Sequence, residues 1–270
     1  MRFALVGQPN SGKSTIFNHA AGYKAITSNF PGKTVTYTVS KMTFQGTTFE
    51  IVDLPGTYSL TSFDLAELET RKYLLREKVD VVINVIDASL LSRELELTIQ
   101  VLELNLPTVI CLNMIDEADA KGINIDEQKL SQLLNVPVVK TVAHKGWGVD
   151  QLFETALAMG LKPVKSQHLT FSKDVEEVLQ GLIEQLEQKG YAKKFKVSLR
   201  FLATKLLEND QYFMSEIKDI DAQFLKIIKT HQDQLEKCRD RASDVIISSE
   251  RHHLSMDIYE SVVAHSKPKV

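Results

Sequence analysis

The chain has 270 residues and carries 32 Lys+Arg against 35 Asp+Glu, a net charge of -3, with 43% hydrophobic and 25% charged residues. That composition is ordinary for a globular protein, allows one large domain or two smaller ones, and lacks the excess of Lys and Arg that neutralising a nucleic acid demands. Two cysteines, Cys111 and Cys238, make no disulfide framework, and neither an apolar run of about 20 residues nor a signal-peptide layout is found, so these residues are not expected to enter a membrane.

In chain order, residues 3–6 form a short apolar run that ends at Gly7, and residues 80–86 and 107–112 repeat the pattern. Short, β-branched runs of this kind suit interior strands of a parallel sheet. Residues 35–44 and 47–52 flank Gln45-Gly46 and predict a hairpin, hence an antiparallel edge. Residues 93–104 and 126–134 place apolar side chains three or four apart and predict helices that cover the sheet. With a further strand over residues 136–140, the expectation is an α/β fold, a mostly parallel six-stranded sheet with one antiparallel edge strand.

Beyond Met159 the character changes. Residues 160–166 read as a linker, and after them strand signals vanish: residues 173–188, 194–208, 221–237 and 240–265 are long, charged and helically periodic. From residue 165 onward acids and bases balance, so the net negative charge belongs to the earlier part, and a neutral helical region is a poor RNA ligand. The expected division is an α/β domain over residues 1–160 and an all-α domain over 161–270.

Gly7-Gln8-Pro9-Asn10-Ser11-Gly12-Lys13-Ser14 fits GxxxxGK[ST] at every fixed position, follows an apolar strand and leads through Thr15 into a helical segment. Gly7 and Gly12 let the backbone turn tightly, so that successive N–H groups, those around Asn10, Ser11 and Thr15 included, point at nucleotide phosphates. Lys13 is placed to reach the β and γ phosphates and the Ser14 hydroxyl to ligate Mg²⁺. Asp53-Leu54-Pro55-Gly56 ends the second hairpin strand, which puts the Asp53 carboxylate at a strand's C-terminal edge beside the phosphate loop, in reach of the same metal. The Gly56 N–H is placed to sense a γ phosphate. Thr34, in Asn29-Phe30-Pro31-Gly32-Lys33-Thr34, is the expected switch threonine on Mg²⁺, with Thr36 as the competitor. Lys13, Thr34 and Gly56 are therefore the expected catalytic set.

Many such enzymes carry a glutamine just after the DxxG glycine to orient attacking water, but here Thr57-Tyr58 follow. Slow intrinsic hydrolysis is the expectation, and the water-positioning group stays unassigned. His19, His144, His252 and His253 fall outside the switch segments and read as surface or structural histidines. Asn113-Met114-Ile115-Asp116 follows the strand ending at Leu112: one carboxylate, Asp116, can accept the paired N1–H and N2–H of guanine, which adenine does not offer. Asn113 ties that loop to the phosphate loop, and Met114 replaces the usual lysine of NKxD with an aliphatic cover for the base. Thr141-Val142-Ala143-His144-Lys145-Gly146 supplies backbone, chiefly the Ala143 N–H, for guanine O6.

The loop GQPNSGKST, the segment NFPGKTV, DLPGTYSL, VINVIDAS, NMID and the helical C-terminal region together resemble the cytosolic N-terminal part of the ferrous iron transport protein B family. The resemblance is motif by motif to about residue 158 and by helical pattern beyond it. It implies a GTP-binding G domain followed by a helical, GDP-dissociation-inhibitor-like domain. It also implies a transmembrane permease in the full-length protein, so that the end at residues 266–270 would be a truncation on the cytoplasmic face of the inner membrane. It further implies activation by K⁺, with Asn10 as a ligand. Gln8 and Lys33 depart from the family's GNPN loop and GVTV switch, and Lys33 bears on the switch contacts to nucleotide. Expected partners are GTP and GDP, the permease part of the same protein and, in a homo-oligomer, a second copy; no nucleic acid is expected. Nothing in the residues themselves points to iron. Two other readings share the phosphate loop: a ribosome-assembly GTPase that binds RNA, and a nucleotide-dependent interaction switch whose hydrolysis is incidental.

Overall fold

The computed structural model describes residues 1–21, 26–30, 35–60, 64–164 and 169–266. Its chain divides into two compact units, residues 1–167 with 256–270, and residues 168–255.

The first unit opens with β1 (Arg2–Gly7), α1 (Lys13–Ala21), β2 (Ile26–Asn29), β3 (Thr36–Phe44) and β4 (Thr47–Asp53). It continues through α2 (Leu65–Arg76), β5 (Val81–Asp87), α3 (Leu91–Glu103), β6 (Thr108–Asn113) and α4 (Ile115–Ala120). Then come β7 (Ile123–Ile125), α5 (Glu127–Leu134), β8 (Val138–Lys140) and α6 (Val149–Leu161). Seven strands form one sheet in the order β2-β3-β4-β1-β5-β6-β8. The five from β4 to β8 are parallel, while β2 and β3 pair antiparallel at the edge. The sheet thus has the expected mixed character but one more strand than the six expected, because Ile26–Asn29 adds to the hairpin through Ile26 opposite Val39. That segment holds one apolar residue in four, and Ile26 itself is exposed, so no hydrophobic alternation marks it.

Every residue of β5 and β6 is buried. Strands covered on both faces read as continuous apolar runs, which is why the sequence announces them. Phe3, Leu5, Ile51, Ile83 and Val109 share a cluster with Ile16 and Phe17 of α1 and Leu152, Phe153 and Ala156 of α6. Alternate residues such as Ala4, Val6 and Val82 turn to the other face. The hairpin closes at Gln45 and Gly46, both left-handed (φ 47° and 77°), the two-residue geometry whose twist matches paired strands.

Helices make the second unit: α7 (Lys173–Gln188), α8 (Tyr191–Phe195), α9 (Leu199–Leu207), α10 (Gln211–Ile220), α11 (Phe224–Arg239) and the first part of α12 (Ser243–Val262). Leu179, Leu182 and Leu186 of α7, Phe201 and Leu202 of α9, Phe213 of α10 and Ile228 of α11 form its buried interior. The single helix expected over residues 194–208 is two, because Lys196 takes a left-handed conformation (φ 55°) and the Ser198 side chain caps a new start on the Phe201 N–H. After α12 the chain forms β9 (Val263–His265), antiparallel to β7, where the sequence led us to expect helix to residue 265 and no further strand. Ser266 N–H donates to Gly122 O at 2.8 Å and Asp126 N–H to Val262 O at 2.9 Å, so the pairing begins and ends in backbone bonds. Three-residue strands lie below the length at which alternation can be read.

Candidate functional site

In an open α/β sheet the crevice lies beyond the carboxyl ends of strands, where the order of winding reverses. Here β1 sits between β4 and β5, and the ends of β1, β4 and β6 carry the phosphate loop, Asp53 and Asn113 respectively.

The loop between β1 and α1 is shaped by its glycines. A Cβ on Gly7 would meet Val85 O at 2.4 Å, and one on Gly12 (φ 87°) would meet Asn113 Nδ2 at 2.1 Å. Both positions exclude a side chain, the second because the buried Asn113 side chain occupies the space. Asn10 is also left-handed (φ 69°). Lys13 is 8% exposed and its Nζ donates to Asp53 Oδ1 at 2.7 Å, while Ser14 Oγ donates to Asp53 Oδ2 at 2.9 Å. The two loop residues and the acid, distant in sequence, therefore converge as the motifs anticipated. Thr57 N–H donates to Gly7 O at 3.1 Å, which holds the segment after Gly56 against the phosphate loop. Thr57 is buried and its hydroxyl is spent on Ser59 O at 2.6 Å, while Tyr58 is exposed. Lys33 and Thr34 lie outside the described residues.

Asn113 is 2% exposed and fastens three loops. Its Nδ2 donates to Ser11 O at 3.0 Å, and its Oδ1 accepts from Thr141 Oγ1 and from the Ala143 N–H, each at 3.0 Å. The Ala143 N–H, expected to face guanine O6, is thus engaged by Asn113. Met114 is left-handed (φ 59°) and starts α4, whose first turn presents Asp116. Asp116 Oδ1 accepts from the Glu117 N–H at 3.2 Å, and Oδ2 from Lys145 Nζ at 2.8 Å, with His144 Nε2 3.6 Å away. The Lys145 hydrogen bond holds the Asp116 carboxyl below the usual range.

Two contacts carried no signal in the motifs. His19, on α1, bonds through Nε2 to Ala143 O at 2.6 Å, joining the phosphate-loop helix to the segment after β8. Lys145 on Asp116 is the other. Cys111 is buried beside Thr141 Oγ1 at 3.2 Å, and burial pushes its thiol up to about 12. Among the described residues no cluster of three or more His, Cys, Asp or Glu is arranged to hold a metal, and no helix is long and apolar enough to cross a membrane.

Comparison with known proteins agrees with this architecture. Residues 1–156 match the family model described as ferrous iron transport protein B, and residues 171–264 match that of the FeoB cytosolic helical domain. A Porphyromonas gingivalis Fe(2+) transport protein A/Fe(2+) transporter FeoB fusion protein is 37% identical over 215 residues, 78% of this chain and 25% of its own length. The chain spans about a quarter to a third of the curated relatives it matches first. Among solved structures, a GDP-bound S. thermophilus NFeoB E67A mutant is 32% identical at a TM-score of 0.89, covering 98% of this chain and 100% of that one. The GMPPNP form of the cytosolic domain of the T. maritima FeoB iron transporter is 29% identical at 0.86, covering 98% and 99%. With more than half of its length matched by the G-domain model and most of the remainder by the helical one, the chain belongs to the ferrous iron transport protein B family.

Proposed function

We propose that the chain is the cytosolic, guanine nucleotide-binding and GTP-hydrolysing module of a ferrous iron transporter. The observation that carries the reading is the convergence of Lys13, Ser14 and Asp53 within 3 Å contacts, beside a base motif whose Asn113 is bonded to the phosphate loop. The bound GDP and GMPPNP of the two solved relatives support guanine as the base. The iron substrate rests on the family, whose curated members are Fe(2+) transporters. Their unmatched length supports a permease part on which this module acts from the cytoplasmic face of the inner membrane. An RNA-binding role has no support in the family or in the charge.

The backbone N–H groups of the phosphate loop and the start of α1 take the phosphates. Lys13 gives up Asp53 for the β and γ phosphates, Gly56 N–H meets the γ phosphate, and Asp116 accepts the guanine edge. The Asp53 carboxylate, which accepts from the Lys13 ammonium on one oxygen and from the Ser14 hydroxyl on the other, and the Ser14 oxygen itself are hard donors that fit Mg²⁺, with Thr34 proposed to complete the set. Mg²⁺ held there would supply compensation for the negative charge of the phosphates. Water attacks the γ phosphate in line, and Thr57 is committed elsewhere, so intrinsic turnover is slow.

A monovalent cation held by Asn10 would supply compensation for charge growing between the phosphates. GTP turnover measured at equal ionic strength is expected to rise in KCl over NaCl by about tenfold or more, as removal of one oxyanion-type contact costs roughly 10²-fold. Asn10→Ala should abolish the difference while keeping GDP binding. Equal turnover in the two salts would remove K⁺ from the proposal, and equal hydrolysis of ATP and GTP would remove the guanine assignment.

A further inference from the structure

Both oxygens of Asp116 have partners within the chain. Oδ1 holds the Glu117 N–H at 3.2 Å, a contact inside its own helix turn. Oδ2 holds Lys145 Nζ at 2.8 Å, an ammonium from the neighbouring loop 29 positions along the chain. We infer that Lys145 sets the affinity of the base site: its ammonium competes with the guanine edge for the Asp116 carboxylate and weakens nucleotide binding. This rests on Asp116 being the guanine acceptor.

A carboxylate has roughly four lone-pair sites, so guanine is not excluded while Lys145 stays. Two effects still oppose it. To make two parallel bonds to N1–H and N2–H, Asp116 must present both oxygens from one side, and the ammonium has to yield part of Oδ2. If it does not yield, it offsets the charge that makes the carboxylate a strong acceptor, and each guanine bond is weaker for it. The lowered Asp116 carboxyl range has the same origin, since the Lys145 hydrogen bond is its first cause. The competition is built into the loop: Ala143 N–H on Asn113 Oδ1 and His19 on Ala143 O hold residues 141–145 in place, so Lys145 returns to Asp116 whenever the base leaves.

Exposure limits the size of the effect. Side chains of Lys145 and Asp116 are 60% and 28% exposed, so their pair belongs with partly solvated ion pairs, worth a two- to fivefold change in an equilibrium constant at about the upper end. In the two-state picture the apparent dissociation constant is the intrinsic one divided by the fraction of molecules in which the carboxylate is open.

The test is titration of the purified chain with a fluorescent GDP in Mg²⁺, with unlabelled GDP and ADP as competitors. Lys145→Met keeps the stem and removes the charge; it should bind GDP about two- to fivefold more tightly than wild type. The gain should shrink as added salt screens the pair. Lys145→Arg should bind like wild type. Introduced into Asp116→Asn, which has no charge to pair, Lys145→Met should change nothing. Unchanged or weaker GDP binding by Lys145→Met overturns the inference and makes Lys145 neutral or a positioning residue for Asp116. A different result, wild type binding ADP as well as GDP with Asp116→Asn indifferent, would instead remove the guanine reading on which it stands.

Discussion

Glu94 is a buried acid, 3% exposed, at the start of α3 and outside the site. Burial raises its carboxyl from 4.5 to about 8, against the Asp87 backbone bond that lowers it, so it is protonated at neutral pH. A folded value above the unfolded one means that the native state holds more protons between about 4.5 and 8, and stability falls as pH rises through that window. Glu94→Gln keeps the shape and removes the titration. It is expected to be near neutral at pH 5 and to stabilise by at least about 1 kcal/mol at pH 8, read from urea unfolding at both values. An identical pH slope in wild type and variant would show that Glu94 ionises without cost. At this scale the sequence was legible wherever chemistry demands a fixed spacing: Lys13 and Ser14 meet Asp53, and Asn113 meets the phosphate loop at Ser11 O. It was silent on His19 and Lys145, whose partners lie 124 and 29 positions away and whose residue types are common on any surface.

Elements were legible in proportion to their burial and length. β5 and β6, covered on both faces, and α7, with four buried apolar residues along one stripe, stand where hydrophobic pattern puts them. β2 holds one apolar residue in four, and β7 and β9 are three residues long, so their backbone pairing leaves no periodic trace. Charge inside the helical unit was also invisible, because it depends on which helices meet. Glu208, at the end of α9, binds Lys205 Nζ at 2.9 Å and the guanidinium of Arg251 on α12, with Lys205 0% and Arg251 3% exposed. Burial alone would raise the Glu208 carboxyl, but Arg251 and Lys205 outweigh it and bring it down to about 2. The depressed value gives stability that is complete above about 4.5 and is lost as pH falls towards about 2. Glu208→Gln removes the carboxylate that Lys205 and Arg251 share in an interior, and breaking a buried pair from one side costs about 3–5 kcal/mol at pH 7. Urea unfolding followed by helical circular dichroism should show that loss and a flatter acid limb. A variant as stable as wild type at pH 7 with the same acid limb would contradict the assignment of the network to stability.

Two interiors built from different sequence patterns have a consequence for the whole molecule. The sheet core depends on Phe3, Leu5, Ile83 and their neighbours, and the helical interior on Leu179, Phe201, Phe213 and Ile228, and each closes on its own residues. Proteins with more than one core commonly unfold in more than one step. Every residue proposed to touch nucleotide, from Gly7 to Ala143, belongs to the first unit. A ligand stabilises only what holds it, by about 2.7 kcal/mol at a hundredfold excess over its dissociation constant. Calorimetry of the intact chain should therefore resolve two transitions, and GDP with Mg²⁺ should raise one by several degrees while the other stays in place. The Glu208→Gln variant identifies the second, since it should lower the transition that GDP leaves alone. Among the described residues α12 is the one helix with members in both units, and coupling through it would instead yield a single transition displaced as a whole by GDP. That outcome would mean that nucleotide occupancy is felt along the length of α12, and the helical unit could then not be treated as energetically separate from the base and phosphate loops.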